Sequence, residues 1–186
     1  EAQRYYHAVV DFLNNRLGLE ISPEKSKVTN LKKNSSDFLG FKIKAVPQGK
    51  SKYGYVAKTD MCEKALKKSK ANLRQKILEI QNHTNAEEVK KYNSAVTGIQ
   101  NYYRIATNVY NNLTEVDYAL LRTRNNRLRK KAKIVRFGET PSDFKKKTTG
   151  IRDCKKIYRI MDIHMLPITG VHHKSPMNFS QEICNY

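Results

Sequence analysis

Eight of the fifteen residues from 122 to 136 are bases: Arg122, Arg124, Arg127, Arg129, Lys130, Lys131, Lys133 and Arg136. No acid lies among them. A solvated helix ordinarily mixes signs to gain i,i+4 pairs, so a run of one sign forgoes a stabilisation that is open to it. Such a run is suited to neutralising phosphates with release of their counterions; the plain alternative is a solvated basic face. A milder series, Lys64, Lys67, Lys68, Lys70, Arg74 and Lys76, precedes it. Between the two lies Asn101-Tyr102-Tyr103-Arg104. Its amide, phenol and guanidinium groups offer the hydrogen bonds and stacking surfaces that recognise RNA.

Catalytic chemistry is harder to find. Two-metal nucleotidyl transfer needs paired carboxylates to hold both ions, and the chain has no Asp-Asp dipeptide. It has no phosphate-binding glycine loop and no convincing nucleophile–base constellation. Cys62, Cys154 and Cys184 are far apart and form no C-x-x-C pair. That usage fits a reducing cytoplasm rather than a disulfide framework or zinc ribbon. His164, His172, His173 and Cys184 match no common ligand spacing. No metal or cofactor is therefore expected on this chain itself.

The whole sequence carries the same message as its basic runs. Its 186 residues hold 36 Lys and Arg against 17 Asp and Glu, a formal charge of +19. The net charge is +5 over residues 1–60, +3 over 61–120 and +11 over 121–186. Self-repulsion on this scale weakens a compact state, and a polyanionic partner is the simplest reason to tolerate it. Nucleic acid is the leading candidate. A membrane surface is a poorer one, because the basic stretches lack an insertable apolar face. No apolar run approaches the ~20 residues a span requires. The chain opens on Glu1-Ala2-Gln3-Arg4, with neither signal peptide nor initiator Met, and reads as a piece of a longer protein.

The elements that must position these groups follow from periodicity. Tyr6, Val9, Leu13 and Leu17 predict a helix over 3–17 closed by Gly18. Residues 19–21 and 25–31 suggest short extended segments around the Ser22-Pro23 turn. Residues 38–46 and 53–58 predict a β-hairpin with residues 47–52 as its loop. Asp60 and Glu63 have capping-box spacing before Leu66, Leu73, Ile77 and Ile80. Asn85 and Glu88 open a second helix with Val89, Tyr92, Val96, Ile99 and Tyr103 as its buried stripe. Thr114 and Asp117 open a third, with Leu120, Arg124, Leu128 and Lys131 on successive turns. Three such stripes can bury themselves against one another, which makes a helical bundle. Gly98 costs ~1 kcal/mol in mid-helix, so a closely packed neighbour is expected there. Beyond Gly138, residues 145–150 suggest a loop, 157–163 an extended segment, and the rest an irregular basic tail.

Two ordered segments carry a family resemblance. Residues 16–28, followed by Phe38-Leu39-Gly40-Phe41, resemble the end of the palm in group II intron reverse transcriptases. Residues 92–104, from Tyr92-Asn93 through Gly98 to Asn101-Tyr102-Tyr103-Arg104, are similar to the signature helix of that family's maturase domain, domain X. The resemblance is firm over 10–136 and looser beyond, where the tail is similar to members that continue into an HNH endonuclease. It implies an α+β fold: a C-terminal palm fragment over 1–58, a three-helix thumb or domain X over 59–136, and a basic connector over 137–186. It implies a primer grip at Phe38, Leu39, Gly40 and Phe41, where the side chains are also natural hairpin core and Gly40 permits close approach. It places Lys25 where a palm lysine would act as general acid to pyrophosphate, or as a plain phosphate contact. It implies RNA contacts from Lys67, Lys70, Arg74, Asn101, Tyr102, Arg104, Arg122, Arg124, Arg127, Arg129, Lys130, Lys131, Lys133 and Arg136.

The partners implied are group II intron RNA, a template–primer duplex, and the missing N-terminal fingers and palm of the same protein in a bacterial cytoplasm. Mg²⁺ belongs to the parent polymerase site, whose Tyr-x-Asp-Asp turn this chain lacks, so polymerisation by this chain alone is not expected. A stand-alone maturase-type splicing factor and a generic basic nucleic-acid-binding protein remain the alternatives.

Overall fold

A 16-residue helix, α1 (Ala2–Leu17), opens the chain and ends at Gly18, which takes φ +61° and donates its N–H to the Leu13 carbonyl. Glycine bears that left-handed backbone without a Cβ penalty. The computed structural model describes residues 1–49, 51, 54–148 and 155–170. Where short extended segments were expected, residues 19–35 form turns and irregular backbone. The first strands are β1 (Ser36–Phe38), β2 (Phe41–Pro47) and β3 (Tyr55–Met61), in sheet order β1-β2-β3. The expected hairpin is thus present as β2 and β3, and β1 adds an edge that the sequence reading did not separate.

Three helices follow, α2 (Glu63–Asn82), α3 (Ala86–Tyr103) and α4 (Val109–Leu128). Asn85 caps α3 as expected, its side chain accepting from the Glu88 N–H at 2.9 Å. Asp60 does not cap α2. Cys62 is the N-cap, and Asp60 instead accepts from Asn108 Nδ2 at 2.6 Å. Nor does α4 start at Thr114. It begins five residues earlier, the Thr114 hydroxyl donates back to the Tyr110 carbonyl at 2.8 Å, and Asp117 pairs with Arg124. The helix also stops at Leu128, so the last bases of the run are not helical. Lys133–Arg136 is a strand, β4. It pairs antiparallel with β5 (Lys156–Ile160), which pairs with β6 (Ile163–His164). A short helix, α5 (Ser142–Lys147), occupies the lysine run expected as a loop.

The chain divides into two compact units, 1–36 with 43–57, and 37–42 with 58–186. Among its described residues the first unit has none that is fully buried. Within it Ala45 N–H donates to the Leu31 carbonyl at 2.9 Å, and Lys32 Nζ lies 4.1 Å from the Tyr55 ring centroid. The second unit holds the core. The stripes of α2 (Leu73, Ile77, Ile80) and α3 (Val89, Tyr92, Val96) meet Leu120 and Leu128 of α4 as expected, with α2 packed on both α3 and α4. The α4 helix adds Leu113 and Val116, while Lys131, expected on its stripe, lies beyond the helix and is exposed. Ile160, Met165 and Ile168 complete this core. The bundle is therefore closed partly by the segment expected as an irregular tail. Asn93 and Gln100, two turns apart on α3, hold that segment: Asn93 Nδ2 donates to the His164 carbonyl at 2.9 Å, and Gln100 Nε2 to the Pro167 carbonyl at 2.9 Å. The architecture is mixed α+β, with helices and two small antiparallel sheets. Among the described residues no helix is long and apolar enough to cross a membrane.

Candidate nucleic-acid interface

The Phe-Leu-Gly-Phe segment forms the two-residue turn between β1 and β2. Leu39 and Gly40 have φ +48° and +82°, the positive pair that lets a short hairpin loop match the twist of its strands. For Leu39 this backbone is costly, by roughly 1–2 kcal/mol. The turn is held in place from α3. The Tyr102 hydroxyl donates to the Leu39 carbonyl at 2.8 Å. The Gly40 carbonyl accepts from the Cys62 N–H at 2.9 Å. A Cβ built on Gly40 would lie 2.8 Å from Tyr103 Oη, so the absence of a side chain there is what admits the tyrosine. Phe41 stacks on Tyr102 with ring centroids 5.6 Å apart and meets Tyr103 edge-on at 5.2 Å. Burial, with the neighbouring Tyr102 and Cys62 adding to it, raises the Tyr103 pKa above its ordinary value.

This geometry revises three expectations. Phe38 and Leu39 are not hairpin core: they stand 63% and 67% exposed, while Phe41 packs against the core. Tyr102 is half exposed, yet its hydroxyl is already engaged by the turn. Gly98 has no packed neighbour among the described residues, since a Cβ there would meet none of their atoms within 4 Å. Asn101 and Arg104 are exposed, as an interface role requires.

The basic run divides by environment. Arg122, Arg127, Arg129, Lys130, Lys131, Lys133 and Arg136 are exposed. Arg127 donates to Gln81 Oε1 at 3.2 Å, and Lys131 to the Gln81 carbonyl, which fastens the end of α4 to the end of α2. Arg124 is the correction. It is 8% exposed, pairs with Asp117 at 2.8 Å and lies over the Tyr158 ring at 5.5 Å. It belongs to the α4 stripe between Leu120 and Leu128, and a phosphate on the open basic face would not meet it. Burial opposes its charge, but Asp117 and Tyr92 overcome this and hold the guanidinium more firmly protonated. Burial, relieved in part by Arg124, pushes Tyr92 up to about 12.

On α2, Lys67 and Arg74 are exposed, whereas Lys70 is half-buried and paired with Glu115 at 2.6 Å. Lys25 is exposed in the turn after Pro23, its N–H donating to the Ser22 carbonyl at 3.1 Å. Among the described residues no group of three or more His, Cys, Asp or Glu is placed to hold a metal ion. His172, His173 and Cys184 lie outside the described residues.

Sequence reasoning missed Lys155, Lys156 and Tyr158, which β5 and the residue before it bring beside Arg124 and Arg129. Tyr158 donates to Asn125 Oδ1, and Lys155 to the Thr169 hydroxyl. Burial pulls the Lys155 ammonium below its ordinary pKa; Asp117 opposes this and Arg124 adds to it. The one available signal was the apolar and aromatic run Ile157, Tyr158 and Ile160, which suggests an extended segment but not its partner. Comparison of the sequence with models of protein families and with curated proteins finds no match.

Proposed function

We propose that this chain is the end of the palm and the thumb, or domain X, of a group II intron reverse transcriptase, and that its own task is to bind RNA. The observation that carries the reading is the meeting of the two segments on which the resemblance rests. Residues 39–41 and 102–103 are some 60 positions apart, and they are joined by the Tyr102–Leu39 hydrogen bond and the Gly40–Tyr103 contact. An accidental resemblance gives no reason for both segments to be built into one contact. In this reading the strained, exposed turn at Phe38 and Leu39 is the surface offered to a primer strand. Strain kept at an exposed position is a feature of functional sites. The thumb's phosphate contacts come from Lys67 and Arg74, and the RNA-binding face from Arg122, Arg127, Arg129, Lys130, Lys131, Lys133 and Arg136. Arg124 supports that face from within.

RNA-directed DNA synthesis and assistance to splicing belong to the parent protein. Mg²⁺ would supply charge stabilisation at the parent's paired carboxylates, and among the described residues of this chain no group of acids is placed to hold it. The partners in this reading are intron RNA, a template–primer duplex and the remainder of the polymerase.

The test is RNA binding by this chain at two salt concentrations, with a folded group II intron set against an equally long unrelated structured RNA. Intron affinity that stays well ahead at the higher salt supports the maturase reading. If both RNAs weaken together, binding is governed by charge alone and the specific reading falls.

A further inference from the structure

The surface between the C-terminal half of α4 and β5 is concave, with a volume of about 540 Å³. That lies within the ~300–1,000 Å³ range of sites that enclose small ligands. Its walls have two characters. Arg124, Arg129, Lys155 and Lys156 supply positive charge, and the only acid among the described lining residues, Asp117, is already paired with Arg124. The same cleft is lined by Tyr158, Leu121 and Ile134. Leu121 and Ile134 are 41% and 56% exposed, so apolar side chains are held in solvent beside a cluster of cations.

Arg124 contributes to this wall from behind it, with its Nε out of solvent contact. Arg124 is nine-tenths buried, and its Nε has no hydrogen-bond partner among the described residues. A smaller space of about 20 Å³ shares Asp117, Arg124, Lys155 and Tyr158 with the cleft. It is large enough for one water, which needs roughly 10–15 Å³. A cationic wall beside an aromatic ring and exposed apolar side chains matches the phosphate and the base of a nucleotide. A paired duplex presents its phosphates on a convex surface and keeps its bases stacked inside, so it cannot fill the cavity. Proteins read unpaired RNA bases by stacking them on aromatic rings and guanidinium planes.

We propose that this cleft is a pocket for one unpaired nucleotide of an RNA strand, with its phosphate on Arg129, Lys155 and Lys156 and its base against Tyr158, Leu121 and Ile134. The proposal rests on the RNA-binding reading and adds to it a site that distinguishes unpaired from paired RNA. The Arg124–Asp117 pair acts as a positioning element, fixing one face of the Tyr158 ring.

The experiment compares two hairpin RNAs binding to the full chain by fluorescence anisotropy at fixed ionic strength. One hairpin is fully paired and the other carries a single bulged uridine. The bulged RNA should bind roughly tenfold tighter, a modest return from one stacked base. Ile134→Glu changes an exposed side chain and places a carboxylate where the phosphate and base meet. It should reduce the preference to within about twofold, as should Lys156→Gln, with the far-UV circular dichroism unchanged. Arg127→Gln, outside the cleft, should weaken both RNAs and keep their ratio. Equal binding of the two RNAs by the unaltered chain, or a preference that survives Ile134→Glu, would overturn the pocket and leave the RNA-binding reading standing. Failure to bind either RNA would overturn both. Displacement of the bulged RNA by a short acidic peptide as readily as by unlabelled bulged RNA would overturn it in favour of a peptide site.

Discussion

Replacing Gly40 with Ala tests the contact on which the functional reading depends. Two costs arise at this position. The backbone has φ +82°, which a residue with a Cβ adopts at roughly 1–2 kcal/mol. The added carbon would also lie 2.8 Å from Tyr103 Oη, closer than real contacts allow, while the next two tyrosine atoms stand at 3.7 and 3.8 Å. Tyr103 must then move, and it is packed edge-on against both Phe41 and Tyr102. Overpacking of this kind costs about 1–3 kcal/mol. The whole change should therefore destabilise by about 2–5 kcal/mol, or roughly 4–20 °C in Tm for a chain of this size. The second cost depends on the hydroxyl alone. Tyr103→Phe removes that atom, so the double variant Gly40→Ala with Tyr103→Phe should recover to the backbone cost of about 1–2 kcal/mol. Urea denaturation followed by far-UV circular dichroism gives all four corners of the cycle. Additive effects, with no rescue by phenylalanine, would refute the claim that the missing Cβ makes room for Tyr103.

Asp117→Leu leaves Arg124 buried without its carboxylate and should cost about 3–5 kcal/mol, whereas Asp117→Leu with Arg124→Met should recover most of that loss; urea midpoints decide. Gly98→Ala should stabilise α3 by about 1 kcal/mol, because a Cβ there meets nothing; a lower Tm would mean that an unseen close contact exists. Replacing Arg122, Arg129 and Lys130 with Gln should reduce the slope of log affinity against log salt by about two to three for structured RNA, with Tm unchanged. Burial lowers the His164 pKa below its ordinary 6.5, and Arg159 lowers it further. The unfolded chain then binds the proton first as pH falls, so stability should decline below about pH 6.5 and level off beneath the folded pKa. His164→Gln should flatten that decline in a series of thermal melts.

Much of the fold was present in local patterns. The left-handed closure at Gly18, the cap at Asn85 and the stripes of α2 and α3 depend on residues within a turn or two of one another, so the sequence displays them directly. The same holds for the charge of residues 122–136. The misreadings have a common cause. Asp60 has the spacing of a cap, but Asn108 takes its carboxylate from 48 residues away. Lys133–Arg136 continues a helical run in composition, yet pairing with β5 makes it a strand.

The sequence by itself determined that this is a basic chain with amphipathic helices and an aromatic, glycine-containing turn, because those properties reside in residue type and short-range order. Only the tertiary structure decided which base is buried, since Arg124 and Arg127 are chemically alike and differ in whether α4 turns them towards Asp117 and Tyr158 or towards solvent. It likewise decided that Gly40 is filled by Tyr103 while Gly98 faces open space. A glycine announces freedom in sequence, but what occupies the space is set by the element packed against it.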